Sequence, residues 1–237
     1  MKFATIITIS ATLMFLTVTM AAAITTPTNN KIKWDGITWD CKYGSGMGPG
    51  NNYWSASGNN VWIDDQNRLH LTIKKTGTKW YCTEVQSQKL YKYGTFKWKI
   101  SSPIFTFDKN SVLGLFTYVD DNHEIDIETT RWQQNSNNLL WYTVQPCDIT
   151  GNSVGFLQST KTTYDGHDMT VQFDWQPTYV HFTSWDNTGK VIADMNYTGA
   201  SVPHVGQKLM MNLWLRAPPS NRRNIECIIT SVSAQVV

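Results

Sequence analysis

The segment Asn122–Trp132 reads NHEIDIETTRW, and three carboxylates in it, Glu124, Asp126 and Glu128, alternate with Ile125 and Ile127. Side chains at i, i+2 and i+4 of a β-strand share one face. The spacing therefore predicts a strand with three acids on one side and His123, Ile125 and Ile127 on the other. The isoleucines belong between two packed sheets. Three like charges in a row are unfavourable, and fold stability supplies no reason to concentrate them. One reading is a half-buried strand with a solvated outer face, for which alternation alone suffices. The other is a pair of catalytic carboxylates with a third between them.

Geometry limits the second reading. Retaining glycosidases hold a nucleophile and a general acid/base about 5–5.5 Å apart, whereas Cα atoms four residues apart on a strand lie about 13 Å apart. The two distances agree only if the long Glu side chains lean together over the concave side of a curved sheet. Asp126 can then hydrogen-bond one of them. Crowding raises the pKa of the least stabilised carboxyl and keeps an acid protonated for a leaving oxygen.

The flanking sequence repeats the same alternation. NVWIDD (60–65), RLHLTIKK (68–75), GTFKWKI (94–100), NLLWYTVQ (138–145), MTVQFDWQ (169–176), YVHFTSWD (179–186) and ECIITSVSAQVV (226–237) are short, rich in β-branched and aromatic residues, and bounded by turns such as DG, NTG and PPSN. That pattern predicts antiparallel strands. No stretch forms a convincing amphipathic helix, and no repeat is present. An all-β, two-sheet sandwich is expected.

Composition narrows the class. A formal charge of +2 over 237 residues gives no electrostatic case for nucleic acid or acidic membranes. Of eleven Trp, ten Tyr and nine Phe some must fill a core, but so many Trp also suit a ligand that presents flat apolar faces, as sugar rings do. Residues 1–23 carry Lys2, a long apolar run and Ala21–Ala23, the pattern of a secretory signal peptide; an uncleaved membrane anchor is the rival reading, and the Ala-Ala-Ala exit favours cleavage. A short linker is expected over 24–33 and one domain over 34–237. An exported chain that keeps no membrane association after cleavage is expected, and with it disulfides among Cys41, Cys82, Cys147 and Cys227, whose three pairings the sequence leaves open. Asn196–Thr198 (NYT) is a glycosylation sequon.

Four blocks, in order over residues 80–220, resemble glycoside hydrolase family 16. They are EVQSQKLYKYGTFKWKI (84–100), VLGLFTYVDDNHEIDIE (112–128), GHDMTVQFDWQPTYVHFTSW (166–185) and KLMMNLWLRAPPSN (208–221). The E-x-D-x-E strand lacks the extra residue of the E-x-D-x-x-E motif in laminarinase-like members, and so resembles lichenases and xyloglucan enzymes. The resemblance implies a concanavalin A-like jelly roll with an open concave cleft. It implies Glu124 as nucleophile, Glu128 as general acid/base and Asp126 as the assisting carboxylate, acting by double displacement without a metal or other cofactor. It places Trp214 and Asn212 in the cleft as stacking platform and hydroxyl ligand, Glu84 beside the innermost sugar with Gln86 where an Arg is common, and Tyr118 upstream of the acids. Arg131 and Trp132 are candidates for the cleft rim in place of the lichenase Phe-Leu-Gly turn.

Other positions follow from spacing or from local sequence. Tyr142 and Gln145 lie three apart, so at most one faces the cleft of a regular strand; Tyr142 is taken as a substrate contact. Trp54 is a candidate rim platform, His167 matches a family position near the cleft floor, and Trp175 is expected to pack. His123 is assigned to the isoleucine face, and His70, His181 and His204 to isolated positions. The function expected is a secreted, monomeric endo-acting β-glycoside hydrolase on a β-glucan-type polysaccharide. Transglycosylation by the same intermediate and non-catalytic, lectin-like glycan binding are the alternatives; retention of all three acids argues against the lectin.

Overall fold

The computed structural model describes residues 24–134, 138–158 and 163–236, so the signal-peptide segment 1–23 lies outside the described residues. Alternation sets the architecture from its centre. β10 (His123–Thr130) buries Ile125 and Ile127 completely while Glu124 and Glu128 stay partly exposed. Each buried isoleucine contributes about 1.5–3 kcal/mol, which fixes the facing of the strand. β9 (Ser111–Asp120) and β11 (Asn138–Val144) flank it, antiparallel on both sides.

The layer continues outward from these three. Its order is β12 (Ser153–Gln158), β11, β10, β9, β16 (Gln207–Leu215), β7 (Lys79–Tyr91), β2 (Ile37–Cys41) and β1 (Lys31–Trp34). The second layer runs β15 (Val191–Tyr197), β14 (Tyr179–Trp185), β13 (Met169–Gln176), β8 (Gly94–Ile100), β17 (Ile225–Val236), β6 (Leu69–Thr76) and β5 (Val61–Ile63). β7 serves both layers: Tyr81 pairs with Lys74 of β6, and from Thr83 onward it pairs with β16. Short strands β3 (Gly44–Met47) and β4 (Asn52–Trp54) lie against the start of β7, β4 in parallel. Among the described residues seventeen strands thus form one hydrogen-bonded system folded into two layers, the expected jelly-roll sandwich.

Aromatic residues fill the space between the layers. Phe96, Trp98, Phe173, Trp175 and Phe182 come from the second layer and Leu115, Ile125, Ile127, Tyr142 and Met211 from the first, all fully or nearly fully buried. Trp175 packs as expected, its Nε1 donating to the Pro203 carbonyl at 3.0 Å.

Two expectations are corrected. Residues 24–33 are not a free linker: Thr25 exchanges backbone hydrogen bonds with Ile63 at 2.9 and 2.8 Å, and Ile32 is buried in β1. The disulfides are absent, because the four thiols face different surroundings. Cys41 pairs with core-facing Val85, Cys82 lies three residues from Val85 and so on the other face of β7, Cys227 belongs to the second layer, and Cys147 is exposed after β11. Burial pushes the Cys41 and Cys82 thiols up to about 12, so both pack as small apolar groups.

His70 is also not isolated. Its Nδ1 meets Glu226 Oε1 at 2.9 Å and its Nε2 meets Asp64 Oδ2 at 3.1 Å, while Arg68 holds the same Asp64 oxygen at 2.7 Å. Trp62 stacks on the imidazole at 4.5 Å. Burial lowers the His70 pKa, but the hydrogen bonds its ring donates to Glu226 and Asp64 outweigh it and raise the pKa above its ordinary value. Asp64 moves the other way: burial opposes its charge, and Arg68 and His70 overcome that opposition. For Glu226 the hydrogen bond with His70 is the largest cause of a lowered pKa. The raised imidazole stabilises the fold fully below its unfolded pKa of about 6.5, and that contribution fades as pH rises through the folded value. The depressed carboxyls stabilise above their unfolded values of about 4 and lose that contribution on acidification. His70→Ala is therefore expected to cost about 1–3 kcal/mol near pH 5.5. Urea midpoints across pH should show that deficit shrinking above neutrality.

Candidate active site

Antiparallel pairing carries the acids of β10 into rows that cross the sheet. Glu128 stands opposite Trp141 on one side and Gly114 on the other; Gly114 faces Asn212, and Asn212 faces Glu84. Asp126 stands between Thr143 and Phe116, followed by Met210 and Gln86. Glu124 pairs with Tyr118, which pairs with Lys208. From Glu124 to Thr130 the register is unbroken; the only irregularity falls between His123 and Glu124. That shift releases His123 from the isoleucine face, and its Nδ1 bonds Asp120 at 2.8 Å.

The carboxyls are coupled. Burial pushes the Glu124 pKa up to about 8, with Glu128, Asp121 and Glu84 adding to it and a hydrogen bond from Asp126 working against it. Asp126 is raised well above the usual range by burial, by the Glu124 charge and by donating that hydrogen bond. Gln145 Nε2 donates to Asp126 Oδ2 at 3.3 Å. Glu128 is raised well above the usual range by burial and by Asp126, opposed by Arg216. Asp126 thus keeps a proton and shares it with Glu124, which favours the Glu124 carboxylate, while Glu128 is the group disposed to remain an acid.

The walls are polar on one side and aromatic on the other. Lys42 Nζ pairs with Glu84 Oε1 at 2.9 Å and lies 4.4 Å over the Trp54 ring. Asn212 Nδ2 donates to Glu84 Oε2 at 3.2 Å, and Asn212 Oδ1 is buried with no partner among the described residues. Gly114 makes this possible: a Cβ there would meet Asn212 Oδ1 at 2.6 Å. Trp132 packs edge-on between Trp141 at 6.4 Å and Trp214 at 6.5 Å, with the Arg216 guanidinium 5.2 Å above its ring. The Tyr118 hydroxyl donates to Asp121 at 3.0 Å; burial, that bond and the neighbouring Glu124 raise its pKa to about 12.

Most expected contacts meet here: Glu84, Tyr118, Glu124, Asp126, Glu128, Trp132, Asn212 and Trp214 share one face of the sheet or its rim. Tyr142 does not. It pairs with Ile127 and is fully buried; its ring stacks on Phe182 at 4.8 Å and its hydroxyl donates to Ser184 at 2.6 Å. Its neighbour Trp141 takes the cleft-facing position. Arg131 is tied down elsewhere, Nη2 donating to the Phe105 carbonyl at 2.7 Å, and Arg216 supplies the guanidinium beside Glu128. Trp54 is buried beneath the Gly/Asn loop, Nε1 bonded to the Met47 carbonyl at 3.1 Å. His167 is exposed in the turn before β13, 3.3 Å from Asp168. Trp141 was legible in part: once Leu140, Tyr142 and Val144 are placed inward, period two turns Trp141 outward. Lys42 and Arg216 had no local signal.

The family model for glycosyl hydrolases family 16 matches residues 49–228. The chain belongs to glycosyl hydrolase family 16. A β-glucanase of Paenibacillus macerans is 31% identical over 195 residues, which span 75% of this chain and 71% of that one. Among solved structures, the Bacillus licheniformis β-glucanase superposes with a TM-score of 0.63 at 19% identity, covering 90% of this chain and 97% of its own. A β-1,3-1,4-glucanase (lichenase) from a mouse hindgut metagenome gives 0.62 at 19% identity, with 89% and 95% covered. At that identity the superpositions establish the shared fold.

For a glycosyl hydrolase, the close approach of Gly114 to Asn212 is a sensitive point. Gly114→Ala should push Asn212 off Glu84 and narrow the space beside Glu128. We expect roughly a 10²-fold fall in kcat/KM, the scale of a misplacement of about 1 Å. Assays on barley mixed-linkage glucan beside far-UV circular dichroism check that the loss occurs in folded protein.

Proposed function

We propose that this enzyme is an exported, endo-acting β-glucan hydrolase that retains anomeric configuration. The observation that carries the reading is the row of three carboxyls: Glu124, Asp126 and Glu128 stand on one face of β10, opposite Tyr118, Phe116 and Gly114, and burial raises the pKa of each. In the first step Glu124 attacks the anomeric carbon and Glu128 gives its proton to the departing oxygen. In the second, Glu128 takes a proton from water, which releases the sugar from Glu124. Asp126 positions Glu124 by the hydrogen bond between them.

The surroundings support a neutral glucan. Trp132 offers partly exposed apolar ring surface backed by the buried Trp214, Asn212 and Trp141 each hold a polar atom without a partner among the described residues, and the Glu84–Lys42 pair limits net charge on that side. The similarity to the P. macerans β-glucanase supports the same substrate class. Export rests on Lys2, the apolar run and Ala21–Ala23.

Reducing-end release on barley mixed-linkage glucan, laminarin, xyloglucan and galactan tests the substrate class. Glu124→Gln should lower turnover at least about 10³-fold, the scale for a single catalytic group, while still binding glycan. Proton NMR should show the β-anomer first; an initial α-product would refute retention. Chains longer than the donor, formed with an added acceptor, would assign transfer in place of hydrolysis.

The pH profile has a definite sign. Deprotonation of Glu124 sets the acid limb of kcat/KM and deprotonation of Glu128 the alkaline limb. Asp126, holding its proton, lowers the first pKa through its hydrogen bond to Glu124. Asp126→Ala is therefore expected to move the acid limb up, narrowing the bell from the acid side. A uniform loss of rate with an unchanged profile would show that Asp126 does not tune the pair.

A further inference from the structure

The second layer carries a concavity on its outward face, across the core from the catalytic acids. It encloses about 380 Å³, within the ~300–1,000 Å³ typical of ligand clefts. Register explains its floor. Lys99 of β8 stands opposite Thr170 of β13, and Thr170 opposite Trp185 of β14, with Lys97 one row along. The turn after β14, beginning at Asp186, forms one wall, and Asp168 before β13 the other.

Trp185 is the feature that fold stability does not account for. The outward positions beside it are Thr170, Gln172, Thr183, Lys97 and Lys99, the polar set a solvated sheet face uses. A register shift between Ser184 and Trp185 interrupts the β14–β15 ladder at this point. The skipped residue is Ile192 of β15; Trp185 keeps its pairing with Thr170 and its outward place two residues after Thr183, and its indole is partly exposed at the concavity. The Lys97 ammonium lies 5.7 Å from the ring centroid. Two lysines and two aspartates line the space, so the site has no net charge, and its donors and acceptors surround one flat apolar face. That combination fits a neutral polyhydroxylated ring.

We propose that this concavity is a second glycan-binding site, remote from the cleft, in which Trp185 stacks a sugar ring and Lys97, Lys99 and Asp186 bond its hydroxyls. The proposal rests on the reading of the protein as a polysaccharide-active enzyme. A polymer held there raises the effective concentration of chain at the cleft, whereas a short oligosaccharide gains nothing from it.

The test uses the full domain in affinity gels containing barley mixed-linkage glucan, laminarin, xyloglucan or galactan, with mobility referred to a glycan-free gel. Glu124→Gln, Glu124→Gln/Trp185→Ala and Glu124→Gln/Thr170→Arg are compared; the arginine fills the concavity without removing the indole. Both double variants are expected to bind at least one polymer roughly fivefold more weakly, the scale of one aromatic contact. In the active background, Trp185→Ala should raise KM for that polymer and leave kcat/KM for a short oligosaccharide of the same glycan unchanged, which also shows that the domain is folded. Equal retardation of all three proteins in every gel would overturn the outer site. Turnover independent of Glu124 would overturn the hydrolase reading and leave the gel comparison standing.

Discussion

Ile125 and Ile127 are the fixed point of this protein. Both are sealed against the second layer, and a strand cannot bury them without turning Glu124, Asp126 and Glu128 together to the opposite face. A slip of one residue would drive three carboxyls into a core of Phe96, Trp98, Phe173 and Phe182. Apolar burial thus supplies the energy that holds like charges side by side, and the ladders to β9 and β11 distribute the resulting strain.

Crowding then becomes chemistry. Three acids in one partly buried row cannot all ionise, and the protons go where burial is deepest and a partner is nearest. Asp126, least exposed of the three and bonded to Glu124 and Gln145, retains one and passes its benefit to Glu124. Glu128 is set apart by its neighbours: Trp141 opposite it, the small Gly114 on the other side, and Arg216 close enough to matter electrostatically. Two glutamates of identical chemistry are differentiated by what the sheet places around them.

The corrections share a cause. Tyr142 and Trp141 are adjacent, and only the pairing of β11 with β10 decides which of them faces the acids. Arg131 immediately follows the strand, yet its guanidinium is captured by the Phe105 carbonyl; Arg216, distant in sequence, arrives because β16 ends beside Trp132. The cysteines suit an oxidising compartment by count, but their positions on different faces and layers keep the thiols apart. His70 looked solitary because Asp64 and Glu226 reach it from the β5–β6 turn and from β17.

The sequence by itself determined the all-β class, the facing of the E-I-D-I-E strand, the family and the identity of the acids, since these depend on period-two patterning and on contiguous motifs. The tertiary structure alone decided which residues of neighbouring strands reach the acids, how deeply each acid is buried, and that Trp185 opens onto a separate concavity. Pairing register between strands far apart in the chain sets all three, and register is a property of whole sheets that no local stretch encodes.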